Sequence, residues 1–176
     1  AFTLNGEISE YLNPINLTKT GTSHLHLTTS PTYTGTTSIT EGQLTIGDQV
    51  NLSTSSQVVI GPDGTLGGTG SIGAEIVGSG TISPGQSTGA LTATNDAKIG
   101  ALLIEVDGPS NDRFDVTGSL DITGATLTLA DLGGGLTEPI YTIASYGSLT
   151  GTFTTINNFP AGYSIDYAFG GSRIVL

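Results

Sequence analysis

The sequence lacks cysteine, methionine and tryptophan, and only 11% of its residues are charged. Without cysteine, the chain has no disulfide bonds, no thiolate chemistry and no cysteine-ligated metal. No apolar run approaches the roughly 18–20 residues that a membrane-spanning segment needs. No stretch combines the helical spacing of apolar residues with good helix formers. The sequence therefore predicts neither a membrane span nor a helical domain.

Basic residues are especially scarce. Four Lys and Arg against 15 Asp and Glu give a formal net charge of −11. Such a surface repels the phosphates of nucleic acids and anionic lipids, which excludes both as partners. It favours solubility and the binding of cations.

The chain begins at Ala1 and contains no methionine. We therefore expect that its N-terminus arose by proteolysis or truncation. Removal of a signal peptide, which leaves a small residue at the cut, is the simplest account. This account predicts a protein that is extracellular or at a bacterial cell surface.

What the sequence has in abundance is glycine, with 27 residues, and about as much threonine. Short alternating segments are separated by Gly, Pro, Asn or Asp from end to end, which is typical of many short β-strands. A unit of a Gly corner, a small residue and an aliphatic residue recurs irregularly, which favours a β-solenoid over a sandwich. Examples are the segments 42–47, 64–68, 80–82, 89–92, 118–122 and 124–128.

The segments 17–47 and 64–91 carry a recognisable pattern, from Leu17-Thr-Lys-Thr-Gly21 to Leu44-Thr-Ile-Gly47 and then from Gly64-Thr-Leu-Gly-Gly68 to Gly89-Ala-Leu91. This pattern resembles the autotransporter-associated β-strand repeat of bacterial surface and secreted proteins. The stretch 145–163 is similar to segments that precede Pro-Glu-Pro-type C-terminal sorting signals. The resemblance implies a right-handed parallel β-helix with a cell-surface or extracellular address. It implies no catalytic residues.

We expect three regions, all of β-structure. Residues 1–14 form an N-terminal strand, residues 15–137 form the repeats of the parallel β-solenoid, and residues 138–176 form an antiparallel cap. Glu138-Pro139 interrupts the pattern, and Phe169-Gly170-Gly171-Ser172 is typical of a hairpin turn. Terminal units of solenoids are usually atypical because they must cover an open core.

The N-terminal strand is a candidate for self-association. Phe2, Leu4 and Ile8 alternate on one face of a half-buried strand that has no turn-linked neighbour. Such a strand either stays in its own subunit or adds to the open edge of the next one. The second arrangement does not close and would propagate as a fibre.

The densest acidic cluster is a weak candidate for a Ca²⁺ site. Asp107, Asn111, Asp112 and Asp115 offer oxygen ligands on a loop with Gly and Pro. The EF-hand spacing and the glycine-rich nonapeptide of Ca²⁺-binding β-rolls are both missing, and Arg113 offers the carboxylates an internal partner. An Asx-type turn before a strand is the alternative.

Two other motifs suggest chemistry but have simpler explanations. His24 and His26 point to the same face of a strand, opposite Leu25, where two imidazoles could share a metal, although the sequence offers no third ligand. Gly85-Gln-Ser87-Thr-Gly89 matches the nucleophile-elbow string, yet it lacks the following helix and the hydrolase order of residues. We interpret the first as a solvated face and the second as a corner.

These observations predict a non-enzymatic extracellular structural protein without a cofactor. It would assemble into a filament or layer, or serve as an adhesive stalk. An adhesin module that binds glycans or a receptor is the alternative from another class. A carbohydrate-active β-helix enzyme is a third, because paired carboxylates can converge without being close in sequence.

Overall fold

The computed structural model describes all 176 residues and contains 21 strands and no helix. No element of it is therefore a helix that could cross a membrane. The strands in chain order are β1 (Phe2–Leu4), β2 (Leu17–Lys19), β3 (His24–Leu27), β4 (Thr37–Ile46), β5 (Asn51–Leu52), β6 (Gln57–Gly68), β7 (Ser71–Ile72), β8 (Glu75–Gly78), β9 (Thr81–Pro84), β10 (Ala90–Ala93), β11 (Ala97–Lys98), β12 (Ala101–Gly108), β13 (Ser110–Asn111), β14 (Arg113–Val116), β15 (Ser119–Asp121), β16 (Thr126–Leu136), β17 (Thr142–Ser145), β18 (Ser148–Thr150), β19 (Thr155–Asn157), β20 (Asp166–Phe169) and β21 (Arg173–Val175).

The strands wind into a β-solenoid of about six turns. The strands lie on three parallel faces, and the middle turns contribute one short strand to each face. Face 1 contains β2, residues 37–39 of β4, residues 58–60 of β6, β8, β11, β15 and β18. Face 2 contains β1, β3, residues 43–46 of β4, residues 65–68 of β6, β9, β12, β16 and β19. Face 3 contains β5, β7, β10, β14 and β17.

Faces 1 and 2 belong to one sheet because β4 and β6 run on around the corner between them. The turns are unequal in length. On face 2, Leu66 stands in register with Ile82, 16 residues later, whereas Leu127 stands in register with Ile156, 29 residues later. This variation explains why the sequence repeats are recognisable but do not recur at one fixed period.

The core is a ladder of aliphatic side chains that runs along the inside of the coil. On face 2, Leu44, Leu66, Ile82, Leu102 and Leu127 stack in register, and each is at most 1% exposed. They belong to a single cluster of 35 buried residues. The alternation of aliphatic and small polar residues in the sequence thus places one side chain inward and the next outward on each turn.

The predicted all-β, β-solenoid fold is confirmed, but the antiparallel cap is shorter than expected. Within residues 138–176, β17, β18 and β19 still pair in parallel with β14, β15 and β16. Only β20 and β21 pair antiparallel, with each other and with β17. Glu138-Pro139 lies in a loop that leaves the coil after β16 and returns to it at Tyr141, so it lengthens one turn without ending the solenoid.

Candidate functional site

A groove opens on the outer side of face 2, and a glycine makes room for it. Gly67 of β6 stands in register with Thr45 on one side and with Ser83 on the other. A side chain here would clash with the carbonyl oxygen of Ser83 and approach the amide of Gln43. The missing side chain leaves a depression in an otherwise continuous row of outward-facing residues.

One wall of the groove is the loop that connects β9 to β10. Gly85 forms an isolated bridge with Gly68 and has a φ of +81°, which favours glycine. The loop therefore rises from the face instead of following its surface. The side-chain amide of Gln86 then reaches across to His26, at 3.3 Å between the two Nε2 atoms.

The loop is held from beneath by Asp112, whose side chain is fully buried. The Gly89 N–H donates to its Oδ1 and the Glu105 N–H donates to its Oδ2, each at 2.9 Å. Burial raises the pKa of Asp112 to about 7, although both backbone donors act in the opposite direction. This carboxylate joins the groove loop to β12, which contributes Glu105 to the groove.

The groove has a volume of about 290 Å³, and no hydrophobic side chain lines it. Its lining residues are His24, Gln43, Thr45, Ser83, Pro84, Gly85, Gln86 and Glu105. His24 hydrogen-bonds Thr45 through its Nε2 atom. By contrast, the side chains of Gln43, Ser83 and Glu105 have no hydrogen-bond partner within the chain.

The two histidines lie as the alternation predicted. Leu27 is buried and Leu25 packs against the core, while the imidazoles point outward with their ring centroids 6.5 Å apart. Burial, together with the neighbouring His26, lowers the pKa of His24. No group of three or more His, Cys, Asp or Glu side chains in the structure is placed to hold a metal ion.

The four residues proposed for Ca²⁺ point in different directions. Asp112 is buried beneath the groove loop, and Asp115 is paired with Arg113 at 2.7 Å and accepts from Ser145. Asn111 donates to the carbonyl oxygens of Asp112 and Thr142. Asp107 lies exposed near the end of β12, where it stands in register with Ser110 of β13. Three of the four side chains of this cluster, those of Asn111, Asp112 and Asp115, thus have separate partners within the chain.

Ser87 of the nucleophile-elbow string lies exposed in the groove loop. The fold brings this loop against His26, more than 50 residues earlier in the chain, through Gln86. Ser87 itself forms no hydrogen bond with either imidazole, and no helix follows it. The loop therefore forms a wall of the groove without the geometry of an activated nucleophile.

The N-terminal strand pairs within its own chain. In β1, Phe2 and Leu4 stand in register with Leu25 and Leu27 of β3. Leu4 and Ile8 pack against the core, whereas Phe2 is 69% exposed. The other edge of β1 has no strand beside it.

The opposite end of face 2 is also open. The strand β19 pairs only with β16, and Ile156, which continues the inward ladder of Leu127, is 38% exposed. The antiparallel strands β20 and β21 extend face 3 and leave the edge of β19 uncovered. Both ends of face 2 therefore present free backbone N–H and C=O groups.

Sequence reasoning did not find the groove. Gln43, Ser83 and Glu105 lie on β4, β9 and β12, in three different turns of the solenoid. Their approach depends on the unequal lengths of the turns, which no local pattern reveals. The one local signal was Gly67-Gly68, a glycine pair inside a strand, which marks a close approach of another backbone.

No protein-family profile matches the chain. The chain is similar to two curated proteins. The adhesin BmaC autotransporter of Brucella suis biovar 1 (strain 1330) is 31% identical over 147 residues, which is 74% of this chain and 4% of that protein. An extracellular serine protease of Serratia marcescens is 40% identical over 82 residues, which is 46% of this chain and 8% of that protein.

The chain thus spans a small part of the length of each of these relatives. The similarity to an autotransporter adhesin, combined with the stacked parallel coil, confirms the resemblance predicted from the repeats. The further resemblance to proteins with a Pro-Glu-Pro-type sorting signal stays a prediction. The parallel β-solenoid is consistent with an autotransporter passenger-type β-helix.

Proposed function

We propose that the chain is a non-enzymatic adhesive module of a bacterial surface or secreted protein. The observation that carries this proposal is the similarity to an autotransporter adhesin over 74% of the chain, which folds as one continuous solenoid. The relative named as an extracellular protease supports the same extracellular or cell-surface location.

The distribution of charged side chains supports a role without catalysis. Each of the three cavities contains a single acidic side chain, which is Glu105, Asp166 or Asp131. Glycoside hydrolysis typically needs two carboxyl groups about 5–10 Å apart. The four basic side chains are also separated: Lys19 bonds to backbone carbonyls, Lys98 and Arg113 pair with Asp121 and Asp115, and Arg173 stacks over Phe169.

The open ends of face 2 support association between copies. The edge of β19 and the edge of β1 belong to the same parallel face, so β19 of one copy can pair with β1 of the next without a change of strand direction. Ile156 and Phe2 lie at opposite ends of the same inward ladder of face 2, and they would then cover each other. This contact is head-to-tail and does not close, so it propagates as a filament.

Adhesion is tested by displaying the chain on a non-adherent bacterial strain and measuring attachment to host cells and to other bacteria. We expect attachment to rise severalfold over the same strain displaying the chain with Leu66→Asp, which disrupts the core. Purified protein should release no reducing ends from a panel of polysaccharides. Absence of attachment by the folded, displayed chain, or turnover of any polysaccharide, would overturn the proposal.

Association is tested by light scattering and negative-stain microscopy of the intact chain and of a chain without residues 1–10. We expect the intact chain to grow in size with concentration and the deletion, which removes Phe2, Leu4 and Ile8, to associate more weakly. The substitution Tyr11→Ser, at a side chain that is 95% exposed, serves as a control for loss of apolar surface alone. A monomeric intact chain at high concentration contradicts filament formation.

A further inference from the structure

We propose that the polar groove of face 2 binds a single neutral sugar unit of a glycan. Gln43, Ser83 and Glu105 would form the hydrogen bonds to its hydroxyl groups, with His24 and Gln86 at the rim. The inference rests on the proposed adhesive function for its biological setting, while its chemistry rests on the groove alone.

The dimensions of the groove favour one small ligand. Its volume of about 290 Å³ lies just below the range of roughly 300–1,000 Å³ for small-molecule sites. The groove opens to solvent on the outer side of face 2. A terminal or internal ring of a longer glycan can therefore enter while its neighbours extend over the surface.

The functional groups of the groove match those of a sugar. Sugar hydroxyls both donate and accept hydrogen bonds, as do the amides of Gln43 and Gln86 and the hydroxyl of Ser83. The Glu105 carboxylate accepts from two hydroxyls, and hydrogen bonds to a charged group are the stronger ones. Because Gln43, Ser83 and Glu105 form no side-chain hydrogen bonds within the chain, a ligand displaces only water from them.

Other classes of ligand fit less well. The carboxylate of Glu105 and the net charge of −11 disfavour phosphate, sulfate and acidic sugars. The absence of hydrophobic lining disfavours apolar ligands. Burial and the neighbouring His26 lower the pKa of His24, which favours its neutral form, and no Phe, Tyr or Trp ring lines the groove to hold a cation by stacking.

The same lack of aromatic stacking implies weak binding of each sugar. Hydrogen bonds alone exchange water for ligand at a small net gain per bond. Many copies of the chain on one cell surface would convert this weak binding into stable attachment through effective concentration. Weak single sites of this kind are compatible with an adhesive module.

The test is a titration of ¹⁵N-labelled protein with methyl glycosides of glucose, galactose and mannose and with N-acetylglucosamine, followed by NMR. We expect at least one sugar to shift the amides of Gln43, Ser83, Gln86 and Glu105 with fast exchange. Glu105→Gln should weaken that affinity about tenfold because a charged acceptor is lost. The matched control is Glu75→Gln, a carboxylate on face 1 that bonds Gln57, which should bind as wild type.

Three results would overturn the inference. In the first, none of the four sugars shifts the groove amides of the folded protein. In the second, Glu105→Gln binds as tightly as wild type. In the third, N-acetyl-lysine methylamide shifts the same amides more strongly than any sugar, which would assign the groove to a basic peptide. Failure of sugar binding with persistent cell attachment refutes the groove alone, whereas sugar binding without attachment refutes the adhesive function.

Discussion

The middle turns and the terminal turns of the solenoid are stabilised in different ways. In the middle, each strand has a neighbour on both sides, and the inward aliphatic residues are fully buried. At the ends, one neighbour is missing. Side chains there form hydrogen bonds with the backbone N–H and C=O groups that another turn would have paired, because such groups need partners.

The N-terminal turn shows this replacement clearly. The Glu10 carboxylate accepts from the backbone N–H groups of Ile15 and Thr34, at 3.0 and 2.9 Å. The ammonium group of Lys19, in a residue only 6% exposed, donates to the carbonyl oxygens of Thr20, Gly21 and Glu41. A cation held by three carbonyl oxygens closes the corner without an ion pair.

The C-terminal turn uses tyrosine hydroxyls instead. The Tyr141 hydroxyl accepts from the N–H groups of Thr137 and Glu138, at 2.6 and 2.9 Å, and donates to the carbonyl oxygen of Gly108. The Tyr146 hydroxyl donates to the carbonyl oxygen of Tyr167. These two tyrosines therefore hold the long loop and the cap strands against the coil.

The largest expected effect comes from replacing a leucine by alanine at two positions of the inward ladder of face 2. Leu66→Ala removes a fully buried side chain and should lower the free energy of unfolding by about 2–5 kcal/mol. Leu25→Ala, two turns nearer the N-terminus and half-buried, should cost about 1 kcal/mol. Urea unfolding followed by circular dichroism measures both. Equal losses of unfolding free energy would show that the terminal turn is packed as tightly as the middle turns.

The second prediction concerns Asp112, the buried carboxylate that joins the groove loop to β12 in the middle turns. Its pKa is raised from the usual value of 3.8 to about 7, so the folded state binds a proton that the unfolded state has lost between these two values. The stability of wild type relative to Asp112→Asn should therefore fall as the pH rises from 5 to 8, by on the order of 2 kcal/mol. Urea unfolding of both proteins at each pH checks this. If the stability of wild type relative to Asp112→Asn does not change with pH, or rises with pH, the pKa of Asp112 is not raised in the folded state.

Tyr141 tests the clamp at the C-terminal end. Tyr141→Phe keeps the buried ring but removes all three hydrogen bonds of the hydroxyl, which should cost about 1–3 kcal/mol. Amide exchange should speed up at Thr137 and Glu138 more than in β12 or β16. Tyr11→Phe, at an exposed ring, is the control and should change neither quantity.

Glu10 gives the smallest expected effect. Hydrogen bonds from the Thr34 hydroxyl and backbone N–H, together with one from Ile15, lower its pKa. Its contribution is therefore present above the ordinary carboxyl pKa and is lost as the pH falls through the lowered value. Protection of the Thr34 amide from exchange should decline in acid in wild type and should be low at every pH in Glu10→Gln. An acid-independent Thr34 amide in wild type would contradict this role.

The sequence predicted what depends on alternation and missed what depends on turn length. The inward column and the outward histidines follow from a period of two, which is visible locally. The groove depends on Gly67 lying opposite Thr45 and Ser83, and that register exists only after three unequal turns have stacked. The cap was predicted to begin at Glu138-Pro139 because a break in the pattern does not distinguish an outward loop from the end of a coil. Likewise, the acidic cluster in the sequence gave no indication that Asp112 alone would be buried.

In the middle turns both strand edges are paired, whereas at the ends of face 2 one edge is free. This difference is tested most directly by hydrogen exchange at several protein concentrations. We predict that the amides of β6, β9 and β12 exchange slowly and independently of concentration. The amides of β1 that do not bond β3, and those of β19 that do not bond β16, should exchange quickly in dilute protein and become protected as the concentration rises. If these edge amides exchange at the same rate at every concentration, the ends of face 2 do not associate and the head-to-tail account is wrong.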